Sequence, residues 1–92
     1  MALFSLVAEN GTKSFGTQIK AASAAAAVSE FFNRIYPNAV GAFGESAPAL
    51  TAQDVIYVTP MDGLVNMWAA CAGAQGRYVS LICVRTSPRH VA

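Results

Sequence analysis

The run at residues 23–36, SAAAAVSEFFNRIY, constrains the fold most, because it is the one convincing helix in the chain and has an obvious buried face. Ala24, Ala27, Val28, Phe31 and Ile35 follow the i, i+3, i+4, i+7 pattern of one buried stripe, with Ser29, Glu30, Asn33 and Arg34 opposite. The consecutive alanines favour the helix and let its backbone lie close to the layer beneath. Ser23 is placed to cap the first turn, and Pro37 with Asn38 is expected to stop the helix by steric exclusion. One amphipathic helix needs something flat to cover, and that layer is expected to be a sheet.

Asn10-Gly11 separates two alternating segments, 3–9 and 12–20, which is a strong local hairpin signal. A type I′ turn there sets Glu9 opposite Thr12, Leu6 opposite Phe15, Phe4 opposite Thr17 and Ala2 opposite Ile19. It gathers Phe4, Leu6, Phe15 and Ile19 under the helix and turns Ser5, Ser14, Gln18 and Lys20, with Leu3 and Val7, away from it. Residues 37–52 read as a connection, with room for a short extended piece at 39–43. Residues 54–59 read as a strand, and Pro60-Met61-Asp62-Gly63 as a type I turn with Gly63 left-handed. A second strand from Leu64 then pairs Val65 with Val58 and Met67 with Ile56. The competing reading of 62–72 is a helix capped by Asp62 and ended by Gly73; it would be apolar almost all round, so the strand is preferred. Residues 73–76 turn the chain into 77–86, RYVSLICVRT, whose β-branched content is the best strand signal present, with Ala72 opposite Arg77.

The sequence therefore predicts one α+β domain over residues 1–92: a single helix packed on an antiparallel sheet of about five strands, in the order β-β-α-β-β-β. Residues 88–92 are expected to fray. The composition adds a tension. Of the residues 54% are apolar and 12% charged, more apolar side chain than one helix on one sheet conceals, which points to self-association. The net charge of +1 gives neither the basic field of a duplex nucleic-acid binder nor an acidic tail.

No apolar run approaches the roughly 18 residues of a membrane helix, and the N-terminus lacks the basic region and cleavage site of a signal peptide, so a cytoplasmic, non-membrane protein is expected. Cys71 and Cys83 lack zinc-site spacing and fall on opposite sheet faces, so free thiols are expected. His90, the sole histidine, lies in the tail; Glu9, Glu30, Asp54 and Asp62 are dispersed; and residues 41–44, GAFG, precede no phosphate-binding helix. This inventory predicts no enzyme, no metal and no cofactor.

In the register above, the meander turns Ile56, Val58, Val65, Met67, Tyr78, Ile82 and Val84 to the core, and Val55, Tyr57, Asn66, Trp68, Val79, Leu81, Arg77 and Arg85 outward. Trp68 opposite Leu81, beside Tyr57 and framed by arginines, matches the residue types found at interface centres. Trp68, Tyr57, Leu81, Val79, Arg77 and Arg85 are thus the interface candidates of a non-catalytic binding or assembly domain, acting as a homo-oligomer or on a protein partner. The alternative is single-stranded nucleic acid stacking on the same face. A bland reading has residues 37–53 cover that face within the chain. The layout of a hairpin, an alanine-rich helix ending in YPNA and a meander resembles that of many small phage and mobile-element proteins, some anti-CRISPR inhibitors among them, which act by occupying a partner's surface. The resemblance is topological and implies no site residue.

Overall fold

One helix lies across one face of a five-stranded antiparallel sheet, in the chain order expected from the sequence. The structure, a computed structural model, describes residues 1–10, 13–43 and 48–86, the side chains of 40–43 excepted. Strands β1 (Ala2–Asn10) and β2 (Lys13–Ala21) form the first hairpin. Helices α1 (Ala24–Glu30) and α2 (Tyr36–Phe43) follow, joined by a π-helical turn (Phe31–Ile35). A short 3₁₀ turn (Ala52–Asp54) leads into β3 (Val55–Pro60), β4 (Met67–Ala74) and β5 (Arg77–Thr86). The strand order β2-β1-β5-β4-β3 brings the last strand beside the first, so the two halves of the chain close into one sheet.

The helix starts as its sequence directs. Ser23 has extended dihedrals, and its hydroxyl accepts from the Ala26 amide at 3.1 Å, satisfying one orphan donor of the first turn. It does not stop at Pro37, however, but continues to Phe43, and the extended piece expected at 39–43 is helical. The π-turn is the physical reason. The Tyr36 amide bonds back five residues to the Phe31 carbonyl, so the backbone is already off the regular i→i−4 ladder when Pro37, which has no amide to donate, enters. Asn38 then works against termination: its Nδ2 donates to the Arg34 carbonyl at 3.1 Å. The same extra residue rotates the buried stripe. Phe32 and Tyr36 are fully buried beside Phe31, while Ile35, expected in the stripe, is only partly covered.

Phe31, Phe32 and Tyr36 form an aromatic cluster with centroid separations of 5.0 to 6.1 Å. It anchors the returning chain, because the Tyr36 hydroxyl donates to the Pro48 carbonyl at 2.6 Å and Leu50 is buried with it. Asn33 Oδ1 accepts from the Ala52 amide, and Thr51 with Asp54 closes a capping box ahead of β3.

In the first hairpin Asn10 pairs with Lys13, Leu6 with Thr17 and Phe4 with Ile19, a register slipped by an even step from the one expected. The faces are therefore preserved. Phe4, Leu6 and Ile19 are buried under the helix and Phe15 packs against the same core. The turn itself, Gly11 and Thr12, lies outside the described residues, as do the tail with His90 and Gly44 of the GAFG stretch.

The second half keeps its strands and exchanges its faces. Residues 67–74 are strand, not helix, and β5 has its expected bounds. The β3–β4 turn, though, runs from Met61 through Asn66, longer than the type I turn predicted, with Gly63 left-handed as expected and Asn66 at φ 63° as well. Val58 consequently pairs with Ala70, not Val65, and Tyr57 with Cys71. The slip is odd, so every side chain of β4 moves to the other face. The β4–β5 hairpin closes through Gln75 (φ 57°) and Gly76 (φ 77°), a left-handed pair of type I′ sense, and sets Ala72 opposite Val79 and Trp68 opposite Cys83.

Candidate interaction surface

The buried residues of β1, β5 and β4 identify the helix-covered face: Phe4, Leu6, Ala8, Val79, Leu81, Cys83, Ala70 and Ala72. Alternation puts their neighbours on the opposite face, which no element among the described residues covers. Rungs read directly from the pairing. Gln18, Ser5, Val84 and Met67 form one, and Gly16, Val7, Ile82, Ala69 and Thr59 the next. Ser14, Glu9, Ser80, Cys71 and Tyr57 form a third, and Tyr78 crosses to Gly73 beyond it. The centre of this open face is apolar: Val7 is 45% exposed, and Ile82, Val84, Met67 and Ala69 are half-buried by one another.

Polar groups lie toward the margins. Ser5 and Thr86 share a hydrogen bond of 2.8 Å, and Gln18 Nε2 donates to the Ser5 hydroxyl at 2.9 Å. Lys20 sits at that corner opposite Leu3, and Glu9 lies on the third rung. Two tyrosines occupy the far end, Tyr57 at 47% and Tyr78 at 57% exposure. The Tyr78 ring fills the space over Gly73 where any Cβ would stand, so the glycine is required for the aromatic to lie flat on the sheet. At the outer edge a bulge between Val55 and Tyr57 leaves Ile56 outside the pairing and 57% exposed.

The candidates named from the sequence are divided by this arrangement. Val79 and Leu81 were expected on the outer face and are instead in the core, at 0% and 1% exposure. Trp68 is also on the helix side, edge-on to Phe4 at 5.9 Å, and its cross-strand partner is Cys83, not Leu81. Conversely Met67, Tyr78, Ile82 and Val84, expected in the core, line the open face; Ile56 and Val65, expected there too, are exposed, while Val58 keeps its place. Tyr57 is the one apolar candidate that remains outward. Arg77 lies beside the β4–β5 turn, and Arg85 ends up with Trp68 at the head of the helix. The 37–53 connection packs on the helix through Tyr36 and Asn33, so the bland reading of it as a cover for the outer face does not hold for its described part.

Both cysteines are free, on opposite faces. Burial pushes the Cys83 thiol up to about 11 and raises Tyr36 above its usual value, which keeps both groups neutral in the core. No helix among the described residues is long and apolar enough to cross a membrane. The chain matches no family model, no curated protein and no solved structure, so a functional reading has to come from the geometry of its surfaces.

Proposed function

We propose that the chain is a non-catalytic assembly domain that pairs with a second copy of itself through the open face of its sheet. The observation that carries this reading is the uncovered apolar centre formed by Val7, Ile82, Val84, Met67 and Ala69. Contiguous apolar patches of this kind mark interaction sites on soluble proteins. Five strands at about 4.8 Å spacing and about seven residues at about 3.3 Å rise present roughly 500 Å² in projection. With side-chain relief, two such faces exceed the roughly 1,000 Å² total of a stable interface.

The distribution of groups favours a second copy as the occupant. A twofold axis in the face, perpendicular to the strands and between the Val84 and Val7 rungs, lays each of those rungs on the other copy's neighbouring one. Met67 then meets Ala69, large over small, and Lys20 of each copy comes across toward Glu9 of the other. A net charge of +1 offers little repulsion between copies. The non-catalytic part of the reading rests on the dispersed carboxylates and the single histidine near the chain end.

Light scattering coupled to size exclusion across a concentration series is the test. The parent is expected to run as a dimer, Ile82→Lys and Val7→Lys as monomers, and Ala26→Lys on the exposed side of the helix as the parent does. A parent that stays monomeric at every concentration refutes self-pairing. The stacking alternative keeps one supporting observation, the exposed Tyr57 and Tyr78, and predicts a low-salt gel shift with single-stranded RNA that self-pairing does not.

A further inference from the structure

On the other side of the sheet, at the head of the helix, a cavity of about 420 Å³ opens between Ala22–Ala25 and the ends of the strands. Its lining brings together the edge-to-face pair of Phe4 and Trp68, Val58 and Arg85. The volume lies within the range of small-molecule sites, which are mainly apolar with a few convergent polar groups.

The polar element here is Arg85. Its strand pairs it with Phe4, and its backbone amide donates to the Asn66 carbonyl at 2.8 Å, so the left-handed turn at Asn66 holds the base of the side chain in place. The guanidinium itself is exposed and has no ion pair among the described residues, whereas Arg34 is already held by Glu30 at 3.1 Å. Ser23, the other polar side chain of the lining, is committed to capping Ala26. The cavity therefore offers one bidentate cation beside an aromatic pair.

We infer that this cavity binds a small monocarboxylate carrying an aryl or alkyl body, the carboxylate paired with Arg85 and the body lying against Phe4, Trp68 and Val58. A planar guanidinium matches a carboxylate through two parallel hydrogen bonds, and a single arginine suits one negative charge better than a multiply charged phosphate. The site is independent of the pairing face, which lies across the sheet.

Trp68 is the only tryptophan, so its emission reports the lining of the cavity directly. The experiment titrates the full-length protein with 3-phenylpropionate and with the neutral 3-phenylpropanamide. The acid is expected to change Trp68 emission saturably with a midpoint of about 1 mM or lower, and the amide to require at least about tenfold more. Arg85→Gln, at an exposed position without an ion pair among the described residues, should fold as the parent does and bring acid and amide to the same weak response. Ala25→Leu, which narrows the mouth, should weaken both. A flat titration, an equal response to acid and amide in the parent, or a preference for the acid that survives Arg85→Gln overturns the inference.

Discussion

At the scale of single residues, the two thiols show how one sheet gives the same group opposite surroundings. Cys71 looks out from the open face of β4, and Cys83, on neighbouring β5, is fully buried beneath the helix. In the Ile82→Lys monomer a thiol reagent at pH 8 is expected to modify Cys71 quickly and Cys83 only at the rate of opening, with both reacting at once in denaturant. The pH dependence has a definite sign. Cys83 ionises at about 11 in the folded chain against a reference of 9.0, so above pH 9 the unfolded chain releases this proton first. Stability should be insensitive to this group below pH 9 and fall between 9 and about 11. Cys83→Ala should lessen that alkaline loss in denaturant melts, and an unchanged slope would mean that other groups cause it. The sequence allowed both thiols to be free, but its register put Cys71 on the core side with Met67 and Cys83 on the outer side with Leu81; the structure has them exchanged, because the odd slip at the β3–β4 turn turned both strands over.

Among the elements, the helix and the β3–β4 turn mark where the sequence stopped being legible. Ser23 as cap, the alanine stripe, the faces of the first hairpin and the bounds of β5 all follow local rules, and the structure contains them. Pro37 followed a local rule too, and the π-turn overrode it, for nothing in FFNRIYPNA distinguishes a helix that ends at Pro37 from one that absorbs it. Interior proline ordinarily costs a helix about 3 kcal/mol. With the ladder already displaced, Pro37→Ala is expected to change stability by less than about 1 kcal/mol in urea melts; a gain near the full value would mean that the strain is still present. The exchanged faces of the meander have a different origin. Met67, Ala69 and Cys71 are as apolar as Trp68, Ala70 and Ala72, so β4 has no polar side to fix its register, and the turn length alone decided it. A turn that closed at Gly63 would bury Met67; the one that runs on to Asn66 buries Ala70 and Ala72. This is why a site built around an outward Trp68, Val79 and Leu81 could not survive, while the inference that one sheet face is unusually apolar could.

For the whole molecule, the sheet face that no described element covers would, in the proposed pairing, tie folding to concentration. If pairing through the Val7–Ile82 rung contributes to stability, the unfolding midpoint should rise with chain concentration in the parent and become independent of it in Ile82→Lys. A parent midpoint that does not move over a hundredfold range, about 2.7 kcal/mol of mass action, would leave the proposal without thermodynamic content. The outer strands set the limit of such an assembly. β3 is short, interrupted at Ile56 and ended by Pro60, and β2 carries Lys13 and Lys20, so neither border invites a neighbouring strand to extend the sheet. In the vocabulary of polymers, each chain then has a self-valence of one: the single contact is consumed by the first partner and growth ends at two. In the proposed pair the helices would face outward on opposite sides, each with its Arg85-lined cavity, and the same object would be bivalent toward anything those cavities hold.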